Sequence, residues 1–326
     1  MKASLQDLCN RFIEARDLIK HTFKWENNYI HPVCANLFCA KGVAPEADKL
    51  RACRDLINSK TGIFSSFRGY IRIPLACMLS MEDDPSRKLD RALDMYKRLK
   101  EHFFGSDYLA LAAFMLTQYD CTHERIARGK RIYRLMKEGH PFLTSSEDSV
   151  FAVMMAMSEQ TDEELVASME ACYRLLKERF HDSNCVQTMA HVLAMEEGDA
   201  YAKCDKVFAL YDTIAQHGRK YGKHHELATL AALATINAAP DVLARDVIDA
   251  DSFLSGQKGY GFFGIDKKTR LMHAAMIASD EYMPRGAVDT AALTGTVSML
   301  IAQQMAMCAI MASNTAMSAA SAASNS

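Results

Sequence analysis

One short phrase recurs along the chain and constrains its fold more than any other feature. Residues 96–101 read YKRLKE, 133–138 YRLMKE and 173–178 YRLLKE, with a degraded copy from Tyr211 and an aromatic echo at Phe253. The steps between these aromatic residues are 37, 40, 38 and 42. About twenty residues before each lies an apolar run of small and medium side chains, at 75–79, 111–116, 150–157, 189–195 and 230–236. Two apolar segments in each period of roughly 40 residues mark stacked helix pairs. The expected fold is all-α: an α-solenoid-like array of antiparallel helix pairs with N- and C-terminal capping helices.

The organisation along the chain follows. Residues 1–60 form an N-terminal helical cap, in which Leu5, Leu8, Phe12, Ile13, Ile19 and Phe23 recur at helical spacing and a second helix ends at Gly42. A repeat region covers 61–255. Its helix pairs are expected at 70–104, 106–139, 146–180, 184–217 and from Glu226 onward. Ser86 is the expected N-cap after the break at 83–86, and Thr161 with Glu164 has the spacing of a capping box. A glycine-rich loop and C-terminal helices occupy 256–312, and an Ala/Ser-rich flexible tail fills 313–326. No stretch alternates with the period of a strand.

Composition excludes several classes. Lysine plus arginine number 38 against 40 acids, a net charge of −2, and a general nucleic-acid binder would carry a basic surplus. The ten cysteines form no Cys-x-x-Cys and mostly sit in apolar periodic positions, which reads as free thiols in a reducing, cytoplasmic setting. Residues 291–312 could span about 30 Å of hydrocarbon. They nevertheless include Thr294, Gly295, Ser298, Gln303 and Gln304, with no Lys or Arg on the C-terminal side. A helix capping the open end of the array is preferred to a membrane anchor.

The phrases above, together with 61–69 (TGIFSSFRG), 108–113 (YLALAA), 259–278 (GYGFFGIDKKTRLMHAAMIA) and the uncharged Ala/Met/Ser tail, resemble a bacterial family known as domain of unknown function 4003. The likeness covers nearly the whole chain. It implies a helical bacterial protein and supplies no activity, cofactor or catalytic residue.

Two loops are candidate ligand sites. Gly256, Gly259, Gly261 and Gly264 place four of the chain's 15 glycines within nine residues. Their backbone, with Tyr260, Lys268 and Arg270 and the helix start near Asp266, could receive an anion. No strand precedes this loop and no Gly-Lys-Ser/Thr follows it, so a connector folded onto the core is the plainer reading. In the other loop, Arg68 and Arg72 could clamp a carboxylate or phosphate, or simply tie down a helix end. The eleven histidines include no His-Glu-x-x-His, and His224-His225 point to different sides of a helix, so no metal or other cofactor is expected. No nucleophile elbow or cysteine nucleophile context occurs.

A scaffold that binds a protein or peptide on its concave face is therefore preferred over an enzyme. The alternative is an anion- or small-molecule-binding protein using Arg68, Arg72 and the glycine loop. A homodimer is compatible with the near-neutral charge.

Overall fold

The computed structural model describes residues 1–26, 28–261 and 264–282. Among them are fourteen α-helices, a single 3-10 turn at Ser66–Arg68 and no strand. The odd-numbered helices are α1 (Ala3–Thr22), α3 (Ala47–Lys60), α5 (Pro85–Lys100), α7 (His123–Gly139), α9 (Asp162–Lys177), α11 (Ala200–Gln216) and α13 (Pro240–Ser255). The even-numbered ones are α2 (Ile30–Lys41), α4 (Arg72–Leu79), α6 (Asp107–Leu116), α8 (Asp148–Met155), α10 (Ser183–Ala194), α12 (Leu227–Ala234) and α14 (Lys267–Asp280).

The two sets have different sequence patterns and so take different layers. In α5 the buried residues are Leu89, Ala92, Met95 and Leu99, a single stripe on an otherwise charged helix. Burying each of its larger apolar side chains contributes about 1.5–3 kcal/mol. By contrast every residue of α12, and of α6 from Tyr108 to Leu116, is buried. A helix apolar all round belongs inside. The even helices are accordingly the inner layer and the odd ones the outer.

Neighbouring inner helices pack in chain order: α2 on α4, α6 on α8, α8 on α10, α10 on α12 and α12 on α14, with the 3-10 turn bridging α4 to α6. The series then closes, because α14 packs on α2 and α1 packs on both α13 and α14. A polar clasp marks the seam. The Lys2 ammonium lies 2.7 Å from a buried Asp246 carboxylate oxygen, to which the Tyr282 hydroxyl donates at 2.6 Å. Ser4 donates to Glu281 across the same seam. The helix pairs thus form a ring, and the N-terminal pair, expected to cap a free end, packs against the last described pair. The segment 290–312, expected to cap the other end, lies outside the described residues. No described helix is long and apolar enough to cross a membrane.

The expected pairs appear with a shifted grouping. Outer helices other than α11 pack most extensively on the inner helix that follows, as in α5/α6, α7/α8, α9/α10 and α13/α14, whereas α11 packs most on α13. The short breaks after inner helices carry the chain outward to the next seat in the ring; the connections after outer helices fold it back alongside. Ser86 is not the cap of α5. Asp84 is, accepting from the Arg87 amide at 2.9 Å, because Pro85 takes the first helical position, where its missing N–H costs nothing. The capping box of Thr161 and Glu164 is present, and α2 ends at Gly42 with φ of 69°.

The repeated tyrosines are packing residues. Tyr133 meets Phe103 edge-on at 5.7 Å and Tyr211 meets Phe180 at 5.3 Å, while Tyr173 stands 4.4 Å from His140. Each partner lies seven residues after the preceding repeated tyrosine, so the phrase welds one unit to the next. Five residues before the tyrosines stand Arg91, Arg128 and Lys206, which reach the carbonyl ends of inner helices: Arg91 to Thr117 O at 2.7 Å, Arg128 to Ser158 O at 2.6 Å and Lys206 to Ile236 O. These cations satisfy orphan carbonyls at the negative end of the helix dipole.

Candidate binding face

Because the chain alternates between layers, all seven inner helices run in one direction and begin at the same end of the ring. The seven outer-to-inner connections, at 23–29, 61–71, 101–106, 140–147, 178–182, 217–226 and 256–266, share that end. It is the loop face, and both loops singled out in the sequence belong to it. They do not meet, because the 23–29 connection comes between them: α2 sits between α4 and α14, and Glu26 pairs with Arg72 at 2.8 Å.

Most of the expected ligand residues are engaged within the fold. Arg68 donates to Thr61 Oγ1 at 3.1 Å, to Thr61 O at 2.6 Å and to Asn58 O, which ties down the end of α3. Arg270 grips Asp251, a fully buried carboxylate, at 2.7 Å, and Arg219 holds the other oxygen at 2.6 Å. Tyr260 is buried, its hydroxyl 3.0 Å from His273 Nδ1 and the Arg16 guanidinium 5.4 Å from its ring. Burial pushes the His273 pKa down to about 3, so this imidazole is neutral in the fold. Gly259 has φ of 94°, and its carbonyl accepts from the Ile265 amide at 2.9 Å. The backbone passes Gly264 so closely that a Cβ there would lie 2.1 Å from Gly259 O. Lys268 and Gly261 are exposed. Among the described residues no group of three His, Cys, Asp or Glu is placed to hold a metal.

The loop face divides into two arcs. In the first, four successive connections each expose an aromatic side chain: Trp25 at 99 %, Phe64 at 96 %, Phe104 at 93 % and Phe142 at 99 %. Between the third and fourth lies a cleft of about 330 Å³, walled by Phe103, Phe104 and Tyr133 and edged by Lys130, Arg134 and Lys137. The Lys130 ammonium lies 5.2 Å from the Phe103 ring centre and 5.5 Å from that of Tyr133. Arg134 is paired with Glu138 at 3.5 Å, whereas Lys130 and Lys137 are exposed and have no carboxylate partner among the described residues. Deeper in this arc Tyr108 donates to Glu147 at 3.0 Å, and Asp107 accepts from the Tyr70 amide at 3.1 Å. Desolvation raises the pKa of both carboxyls, although Glu147 is open to solvent along part of its length.

The second arc, made of the connections 178–182, 217–226 and 256–266, exposes no large apolar side chain among its described residues. Its polar groups pair with one another: His224 with Asp182 at 2.8 Å, Arg179 with Asp212 at 2.5 Å, and the buried Glu226 with the His224 amide at 3.2 Å.

Sequence reasoning missed the aromatic tips and the cleft. A usable signal was present, since Phe104 precedes Gly105, Phe142 follows Pro141 and Phe64 lies two residues after Gly62. An aromatic beside a turn residue is badly placed to join a helix stripe.

No solved structure matches the chain. An uncharacterized protein of Bacillus subtilis (strain 168), YeaA, is 24 % identical over 272 residues, which is 80 % of each chain. The model of the family described as protein of unknown function DUF4003 matches residues 17–306, and the chain belongs to that family.

Proposed function

We propose that the chain is a binding protein rather than an enzyme, and that it receives a peptide or protein segment in the cleft beside Phe103 and Tyr133. The observation that carries this reading is the pair Lys130 and Lys137, two cations without a carboxylate partner at the edge of an aromatic-walled cleft. A group with an apolar body and a negative end fits both walls and rim, as an acidic residue next to an aromatic one would present. A cleft of about 330 Å³ accommodates one or two side chains. The inner faces of the helix pairs are filled by packed side chains, so the partner surface moves from a concave groove to the loop face. The alternative anion site loses Arg68, Arg72 and Arg270 to internal partners. The nine described cysteines, all unpaired thiols, fit a reducing cytoplasm.

Calorimetric titration of the full chain with capped Asp-Phe and Asn-Phe peptides tests the reading. The acidic peptide is expected to bind roughly tenfold more tightly, with that preference lost in K130Q/K137Q. Both lysines are exposed, so the variant's melting temperature should match the parent's. Equal affinity for the two peptides would sink the proposal.

A further inference from the structure

The cleft accounts for one of the four exposed aromatic tips. Trp25, Phe64 and Phe142 are not among the residues that line it, yet they are almost wholly in water at the same end of the ring. A receptor for a folded partner sets its apolar anchors partly into a groove, where neighbours already hold them. Side chains exposed at 96 % or more on separate loops stand clear of such support. They are suited to a soft apolar medium that closes around each tip.

The charge around the tips points the same way. Outer helices end at the loop face, and their last turns favour cations because carbonyl ends are negative. Outside the cleft, exposed Lys20, Lys24, Lys97 and Lys100 lie in or just past these turns and have no carboxylate partner among the described residues. The acids without a cationic partner nearest these lysines are Asp94 and Glu101, with Glu147 and the half-buried Asp107 further along the face. Trp and Phe tips within a lysine collar match the headgroup layer of an anionic bilayer, where aromatic rings sit at the boundary and lysines meet phosphate.

We propose that the chain docks reversibly on anionic membrane surfaces through Trp25, Phe64 and Phe142, with Lys20, Lys24, Lys97 and Lys100 against lipid phosphate. This attachment lies in the surface and needs no spanning helix. It is independent of the cleft reading, and the protein can hold a peptide and a membrane on adjoining parts of one face.

Trp25 is the chain's single tryptophan, so its emission reports the tip directly. The full chain is mixed with vesicles of phosphatidylcholine alone, or with about one third phosphatidylglycerol, and then sedimented. The expected result is a blue shift of Trp25 emission and co-sedimentation with the anionic vesicles only, reversed by high salt. F64S/F142S keeps the reporter and should bind about tenfold more weakly, or worse, with an unchanged melting temperature. Inorganic phosphate should shift nothing. An unmoved emission with both vesicle types would overturn the proposal, as would F64S/F142S binding like the parent. A blue shift seen only with the acidic peptide would also overturn it, and would make the tips part of a peptide surface. K130Q/K137Q abolishing peptide preference while vesicle binding persists separates the two sites.

Discussion

The two arcs of the loop face perform the same architectural task by opposite means. Each connection has only to turn the chain and start an inner helix. From 178 to 266 the loops do so by internal pairing, with Arg219, Asp251 and Arg270 locked together and Asp182 held by His224. From 23 to 147 the starts are secured lower down, by Ser106 accepting from Leu109 N and by Asp107 under Tyr70, while Trp25, Phe64, Phe104 and Phe142 stay in water. Folding alone does not call for those four exposed rings. The difference separates residues the ring needs from residues it can do without, and the second kind are where a binding role belongs.

The contrast breaks most sharply at Asp251. Asp251→Ala leaves Arg270 buried without its counter-ion and should cost about 3 kcal/mol in urea denaturation. The double substitution of Phe64 and Phe142 by serine should stay within about 0.5 kcal/mol of the parent. Comparable losses in both would erase the distinction.

Acid separates the arcs next. His273 is held neutral by burial, with its pKa lowered to about 3, whereas an unfolded histidine titrates near 6.5. The unfolded chain therefore takes up the proton first. This contribution to stability is intact above about pH 6.5 and falls by roughly 1.4 kcal/mol per pH unit between there and pH 3. Urea midpoints at pH 7.5 and 5 should show a loss for the parent that is about 2 kcal/mol larger than for His273→Asn. Equal losses would place the acid sensitivity elsewhere.

The smallest effect has the reverse sign. Desolvation raises the Glu147 pKa, so the charged carboxyl works against the fold at neutral pH and the strain is relieved as protons bind. Glu147→Gln still accepts from Tyr108 and should raise the melting temperature slightly at pH 7. At pH 4 the gain should vanish. A lower melting temperature at pH 7 would mean that the charged hydrogen bond outweighs desolvation.

How much of this was legible in the sequence depends on the range of each interaction. The helix pairs could be read because Tyr133, Tyr173 and Tyr211 repeat a contact whose partner lies seven residues after the preceding repeated tyrosine. The closing seam could not, since Lys2 and Asp246 are 244 positions apart and belong to no periodic pattern. Arg68 looked like a ligand residue because a loop arginine beside glycine is equally suited to an anion and to a carbonyl end; its direction, toward Thr61 and Asn58, is a three-dimensional fact. The tips were hidden for a related reason. Phe103 and Phe104 are identical neighbours in the sequence, yet one is buried in the seam between units and the other is fully wet.

The seam between α1 and the α13/α14 pair also sets a timetable. During synthesis the first pair emerges long before the partners that close the ring against it exist. At ~5–20 residues per second, the interval between completing α1 and completing α13 is on the order of tens of seconds. Throughout that time the face of α1 that carries Phe12, whose ring later meets His273, lacks its partner and is open to transient contacts or a chaperone. The nascent chain is an open arc until α13 and α14 have emerged to meet α1.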